Sequence, residues 1–181
     1  MNDFYQWYDF SSLFTDEDHV AARSRIEEII ANGQYFKNSP KYQTQINMFG
    51  IQDDVWLKFR FSFIFSAFMY LGREVPITAL QSWSFMTNND IVEDRENLWH
   101  THHYTPGKTT LSGIYYLRIP EDADYASSGT EFAPMGVKNP ERLVLAPQPK
   151  SWLIYPGKIY HRPTPPQSKD YRFIIAADME F

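Results

Sequence analysis

From Pro76 onward the chain breaks into short apolar or alternating runs separated by turn residues, and this texture constrains the fold more than any other feature. The runs are Leu80 to Met86, Leu98 to Tyr104, Leu111 to Ile119, Gly129 to Phe132, Arg142 to Ala146, Ser151 to Tyr155, Lys158 to His161 and Tyr171 to Met179. The breaks hold Asn88-Asn89-Asp90, Pro106-Gly107, Pro120-Glu121-Asp122, Ser127-Ser128, Pro147-Gln148-Pro149, Pro156-Gly157 and Pro163 to Pro166. Runs of this length, punctuated by Pro, Gly and Asn, read as strands, and their regular spacing predicts an antiparallel sandwich or barrel.

The first part of the chain reads differently. Residues 1–14 are aromatic and irregular and are expected to pack on the body, with one short edge strand. Thr15 is placed as a helix N-cap, with Asp16, Glu17 and Asp18 in the first turn and Asp18 at the capping-box position. Val20, Ala21, Ile26, Ile29 and Ile30 recur at roughly helical spacing, and Asn32-Gly33 ends the helix. A short strand is expected around Gln43 to Asn47. Gln52-Asp53-Asp54 opens a second helix reaching Leu71 and stopping at Gly72. Alternation of Phe59, Phe61, Phe63 and Phe65 argues for a strand there, but the length of the segment decides for a helix. The fold class is therefore mainly β with flanking helices (α+β). One domain spans 1–181, with 1–75 a helical and irregular support layer and 76–181 the β core. No linker divides them.

Composition narrows the chemistry. A length of 181 residues buries a substantial core, and a net charge of -5 with pI near 5.5 gives no electrostatic reason to expect nucleic acid or an anionic membrane as partner. The absence of cysteine removes disulfides, thiolate metal sites and a cysteine nucleophile, so any metal is held by nitrogen and oxygen. The Met1 to Trp7 segment has no basic and apolar regions of a signal peptide, and Lys58 and Arg60 interrupt the most apolar stretch, Val55 to Leu71. A cytoplasmic setting is expected.

Against this background the histidines stand out. Three of the five lie within Trp99-His100-Thr101-His102-His103. On a strand, residues i and i+2 share a face, so His100 and His102 can approach one metal ion while His103 points away. His161, at the end of a later run, is the remaining downstream histidine and a candidate third ligand. Iron, zinc, copper or nickel suits such imidazole ligands, and manganese if carboxylates join them.

The segments His100 to Pro120 and Pro147 to Met179 together resemble the 2-oxoglutarate- and Fe(II)-dependent oxygenases. The likeness rests on His100-Thr101-His102, then Ser112-Gly113-Ile114-Tyr115-Tyr116-Leu117, then His161 after Leu153-Ile154-Tyr155-Pro156-Gly157, then Arg172. The resemblance implies a double-stranded β-helix (jelly-roll, cupin-like) core with the N-terminal helices packed on one face. It implies Fe(II) on His100, His102 and His161. The co-substrate is 2-oxoglutarate, its far carboxylate on Arg172 and Tyr116. Oxidative decarboxylation would be coupled to hydroxylation of a primary substrate that the sequence does not specify. Ser128 to Phe132 resembles the family's Gly-led strand start.

Two positions depart from the family pattern. His102 stands where the family usually keeps a carboxylate, and Glu131 is an alternative source of one. Ile174 stands where many relatives carry Ser or Thr. Two other readings therefore stay open. One is a cupin-like metal enzyme that does not use 2-oxoglutarate. The other is a non-catalytic jelly-roll module that binds a ligand or has a structural role. Arg162 is read as structural, Trp99 and Tyr104 as packing, Ser112-Gly113 as a tight strand contact, and Asp90, Glu93 and Asp94 as a solvated loop near the substrate entrance.

Overall fold

A computed structural model describes residues 4–36, 42–90, 98–103, 105–126, 128–164 and 166–181. Tyr104, Glu93 and Asp94 lie outside them. The order of elements is β1 (Gln6–Asp9), α1 (Asp16–Ala31), β2 (Tyr42–Gln43), a 3-10 turn (Met48–Gly50), α2 (Asp54–Leu71), β3 (Ala79–Thr87), β4 (Thr110–Arg118), β5 (Thr130–Ala133), β6 (Leu143–Leu145), β7 (Ser151–Pro156), β8 (Tyr160–Pro163) and β9 (Arg172–Glu180).

Both helices start and stop where their sequence signals lie. Thr15 and Asp18 form a reciprocal capping box, and Asp18 also takes Lys58 Nζ of α2 at 2.8 Å, which ties the two helices together. The buried stripe of α1 is Ala22, Ile26, Ile29 and Ile30. Val20 and Ala21 face out, so the apolar face begins one position later than their hydropathy suggests. Asp53 caps α2, and Gly72 ends it in the left-handed conformation that glycine adopts without a Cβ clash. Phe59 and Phe63 are fully buried while Phe61 is 64% exposed and Phe65 57%, the three-and-four spacing of a helix face.

The strands form two antiparallel sheets, one of six strands in the order β1-β7-β4-β9-β3-β2 and one of three in the order β6-β5-β8. β1 and β2, from the N-terminal part of the chain, are the two edges of the larger sheet. The strand expected over Leu98 to Tyr104 is corrected. Its described part makes a single bridge, His100 to His161, and no ladder.

Strand parity divides the core in two. On β9, Phe173, Ile175, Ala177 and Met179 join Tyr115 of β4, Trp152 of β7, Phe59 and Phe63 of α2, and Phe14 just ahead of α1 in one cluster. Trp152 Nε1 donates to Ser62 Oγ of α2 at 2.9 Å within that layer. Gly113 lets α2 come close: a Cβ there would lie 2.6 Å from the Phe63 ring, which is the tight contact read from Ser112-Gly113. The opposite face carries Ile114, Tyr116, Leu153, Tyr155 and Ile174 and packs against Phe132 and Leu145 of the smaller sheet. This antiparallel double-sheet arrangement with two helices on one face is the jelly roll. No helix among the described residues is long and apolar enough to cross a membrane.

Candidate metal centre

The even-numbered residues of β9 face the space between the sheets, and there they meet the histidines. His100 and His161 exchange backbone hydrogen bonds (His100 N to His161 O at 3.2 Å, His161 N to His100 O at 3.1 Å), which brings the two ring centroids within 4.3 Å. His102 N donates to Gly157 O at 2.7 Å. Gly157 is required for that approach, because a Cβ on it would stand 2.4 Å from His102 O. One ligating atom from each of His100, His102 and His161 lies within 4.8 Å of the other two. Side-chain adjustments of about an ångström would close that span onto one ion with metal–nitrogen bonds of ~2.1 Å. His103 is exposed, as alternation required.

The tautomers follow from the partners. His100 Nδ1 lies 2.7 Å from Leu98 O, His161 Nδ1 lies 3.0 Å from Ile159 O, and His102 Nδ1 lies 2.8 Å from Asp178 Oδ1. Carbonyl and carboxylate oxygens only accept, so each Nδ1 carries a proton, and in the neutral ring that leaves the Nε2 lone pair for a metal. Three imidazoles so placed could hold one metal ion through nitrogen, with their outer nitrogens anchored as metal-bound imidazoles usually are. The Tyr155 hydroxyl donates to His161 Nε2 at 3.0 Å.

A narrow cavity of about 50 Å³ runs from the histidines between the sheets and is lined also by Trp83, Phe85, Thr87, Thr130 and Arg172. Arg172 is 1% exposed, and its guanidinium donates to Ser128 O at 2.9 Å and Thr164 O at 2.7 Å. Those carbonyls fix its direction, and a buried guanidinium on a cavity wall has the fork geometry that pairs with a carboxylate. Tyr116 is buried beside this wall. Its hydroxyl bonds to Thr130 Oγ1 at 2.7 Å, and Thr130, not Tyr116, lines the cavity. Burial pushes the Tyr116 phenol up to about 12, against the Thr130 bond and the nearby Arg172 charge, which lower it. A second cavity of about 340 Å³, bordered by Gln43, Gln45 and Gln81, shares Trp83 with the first.

Glu131, the alternative ligand, requires correction. In the β5–β8 register Phe132 opposes His161 while Glu131 opposes Arg162, and the Glu131 carboxylate takes Arg162 Nε at 2.8 Å on the far face. Arg162 also stacks on Trp99 at 4.2 Å, so both residues have the structural and packing roles expected of them. The sequence reading missed Asp178, Ser112, Thr130 and Trp83. Asp178 was detectable only as an acidic residue six positions along the same strand face from Arg172, and Thr130 only as a hydroxyl at a Gly-led strand start.

No protein-family profile matches the chain, and no curated protein matches it in sequence. Solved structures do match. The non-heme alpha-ketoglutarate-dependent epimerase SnoN from nogalamycin biosynthesis superposes with a TM-score of 0.69 at 10% identity, over 98% of this chain and 77% of the other. A prolyl-4-hydroxylase of Pseudomonas putida gives 0.66 at 7% identity, over 98% and 92%. The viral collagen prolyl hydroxylase of Paramecium bursaria Chlorella virus-1, in complex with 2-oxoglutarate, gives 0.62 at 13% identity, over 99% and 97%. The chain shares the fold of these three enzymes along nearly its whole length.

Proposed function

We propose that this protein is a 2-oxoglutarate- and Fe(II)-dependent oxygenase. The observation that carries the reading is the placement of His100, His102, His161 and buried Arg172 on one cavity of a fold shared with oxygenases of that type. The three histidines would hold the metal, and their common tautomer fits it. Fe(II), when bound, supplies oxygen activation coupled to decarboxylation of the 2-oxo acid. The chain's own groups bind and orient. Arg172, at the cavity wall, takes the far carboxylate of 2-oxoglutarate, and the Thr130–Tyr116 pair places a hydroxyl dipole beside it. The apolar walls from Phe85, Ile114 and Ile174 exclude water from the co-substrate chain.

The narrow cavity has room for a slim co-substrate only. The primary substrate therefore lies outside it, on the side of His100, the one exposed histidine of the three. The second cavity adjoins the first through Trp83, and its lining is uncharged and rich in amide side chains, which favours a neutral polar substrate. The reading is of a cytoplasmic enzyme whose partners are small molecules.

Succinate formation from 2-oxoglutarate by Fe(II)-loaded protein tests the proposal. Turnover that disappears in His161→Ala supports it. The three-histidine donor set also suits a cupin-like oxidase that does not use 2-oxoglutarate. Metal binding without 2-oxoglutarate binding or succinate would favour that second reading.

A further inference from the structure

Among the described residues the cluster is made of three imidazoles with no carboxylate beside them, yet a carboxylate is buried directly behind His102. Asp178 is 2% exposed on the cavity face of β9, opposite Ser112 of β4 and Gln81 of β3 in register. Its Oδ1 accepts from His102 Nδ1 at 2.8 Å and from Ser112 Oγ at 2.6 Å, and Ser112 Oγ is itself 3.3 Å from His102 Nδ1. The three groups form a closed triangle with His102 at the corner nearest the other histidines. Trp83 packs on the remaining side of the His102 ring at 5.4 Å.

We propose that Asp178 is a positioning residue that supplies, from behind His102, the negative charge that the ligand set itself lacks. This rests on the reading of His100, His102 and His161 as a metal site. A carboxylate on Nδ1–H polarises the imidazole and raises the donor strength of Nε2, so part of the charge reaches the metal through the ring. Ser112 holds Oδ1 in place and thereby fixes the rotation of the His102 ring. The arrangement explains how a histidine serves at position 102: the carboxylate has moved from the coordinating layer to the one behind it. The alternative is that Asp178 is only a buried polar group satisfied by Ser112, with no influence on the metal.

Cobalt(II) affinity, measured anaerobically by calorimetry together with the visible spectrum of the bound ion, separates these roles. Asp178→Asn keeps size and an acceptor oxygen but removes the charge, and is expected to weaken Co(II) binding ~10–100-fold. Metal-free melting temperature serves as the fold control. In a His102→Asp background the same Asp178→Asn change is expected to tighten binding, because it removes a second carboxylate pressed against the first. Ser112→Ala provides a milder variant, expected to weaken affinity several-fold and to alter the cobalt spectrum. Unchanged affinity in Asp178→Asn, or a change of the same direction in both backgrounds, overturns the proposal while leaving the metal site standing. Failure of the unsubstituted protein to bind Co(II) overturns the metal-site reading and this inference with it.

Discussion

His100 and His161 are joined by a single antiparallel bridge whose two backbone hydrogen bonds hold their rings 4.3 Å apart, although they belong to distant segments. The third histidine is tied to the same scaffold by the bond from His102 N to Gly157 O. The relative placement of the three histidines is thus set by main-chain contacts to the Pro156-Gly157 turn and the start of β8.

Gly157→Ala places a methyl group 2.4 Å from His102 O, a backbone atom that cannot rotate away. The ligand segment has to shift. Stability is expected to fall by ~1–3 kcal/mol, and metal affinity to fall about tenfold or more, because a displacement of an ångström at one ligand breaks the convergence. Calorimetric metal titration beside a denaturant melt checks this. An alanine variant that loses stability but keeps its affinity would show that His102 is not a ligand.

Tyr155→Phe tests the tautomer assignment. The Tyr155 hydroxyl donates to the His161 Nε2 lone pair, the same electrons a metal would take. Metal loading must break that bond, so its removal is expected to leave affinity unchanged or to raise it a few-fold. A marked loss of affinity would mean that the hydroxyl helps to hold the ion.

Alkaline stability depends on Tyr116. Its phenol is raised to about 12 by burial, whereas an unfolded tyrosine ionises near 10. The folded state holds the proton more tightly. The contribution is therefore fully present below pH ~10 and lost as pH rises through ~12, about 3 kcal/mol in all. Denaturant unfolding at pH 8 and pH 11.5 should show a smaller drop for Tyr116→Phe than for the unsubstituted protein. Equal drops would contradict the assignment.

Much of this architecture was legible in local signals. Thr15, Asp18, Asp53 and Gly72 mark helix ends through their own chemistry, and the turn residues mark the strands. The rings of His100 and His102 do lie 5.0 Å apart, although no ladder forms there. What the sequence did not reveal depends on register. Glu131 and Phe132 are neighbours, and only the pairing of β5 with β8 decides which one faces His161. Asp178 and Ser112 meet because β4 and β9 align them, and no local pattern announces that alignment. Tyr115 and Tyr116 are both buried, on opposite faces of β4, and the Thr130 hydroxyl in front of Tyr116 comes from the other sheet.

Anaerobic calorimetric titration of 2-oxoglutarate into Fe(II)-loaded protein, with His161→Ala and Arg172→Ala beside it, tests whether this cavity holds the co-substrate. One molecule should bind per chain. Binding should be abolished without metal or in His161→Ala, and weakened about a hundredfold in Arg172→Ala through loss of the guanidinium–carboxylate pair. Metal-loaded protein that binds no 2-oxoglutarate, or binds it equally well without Arg172, would contradict the assignment of this cavity to that co-substrate.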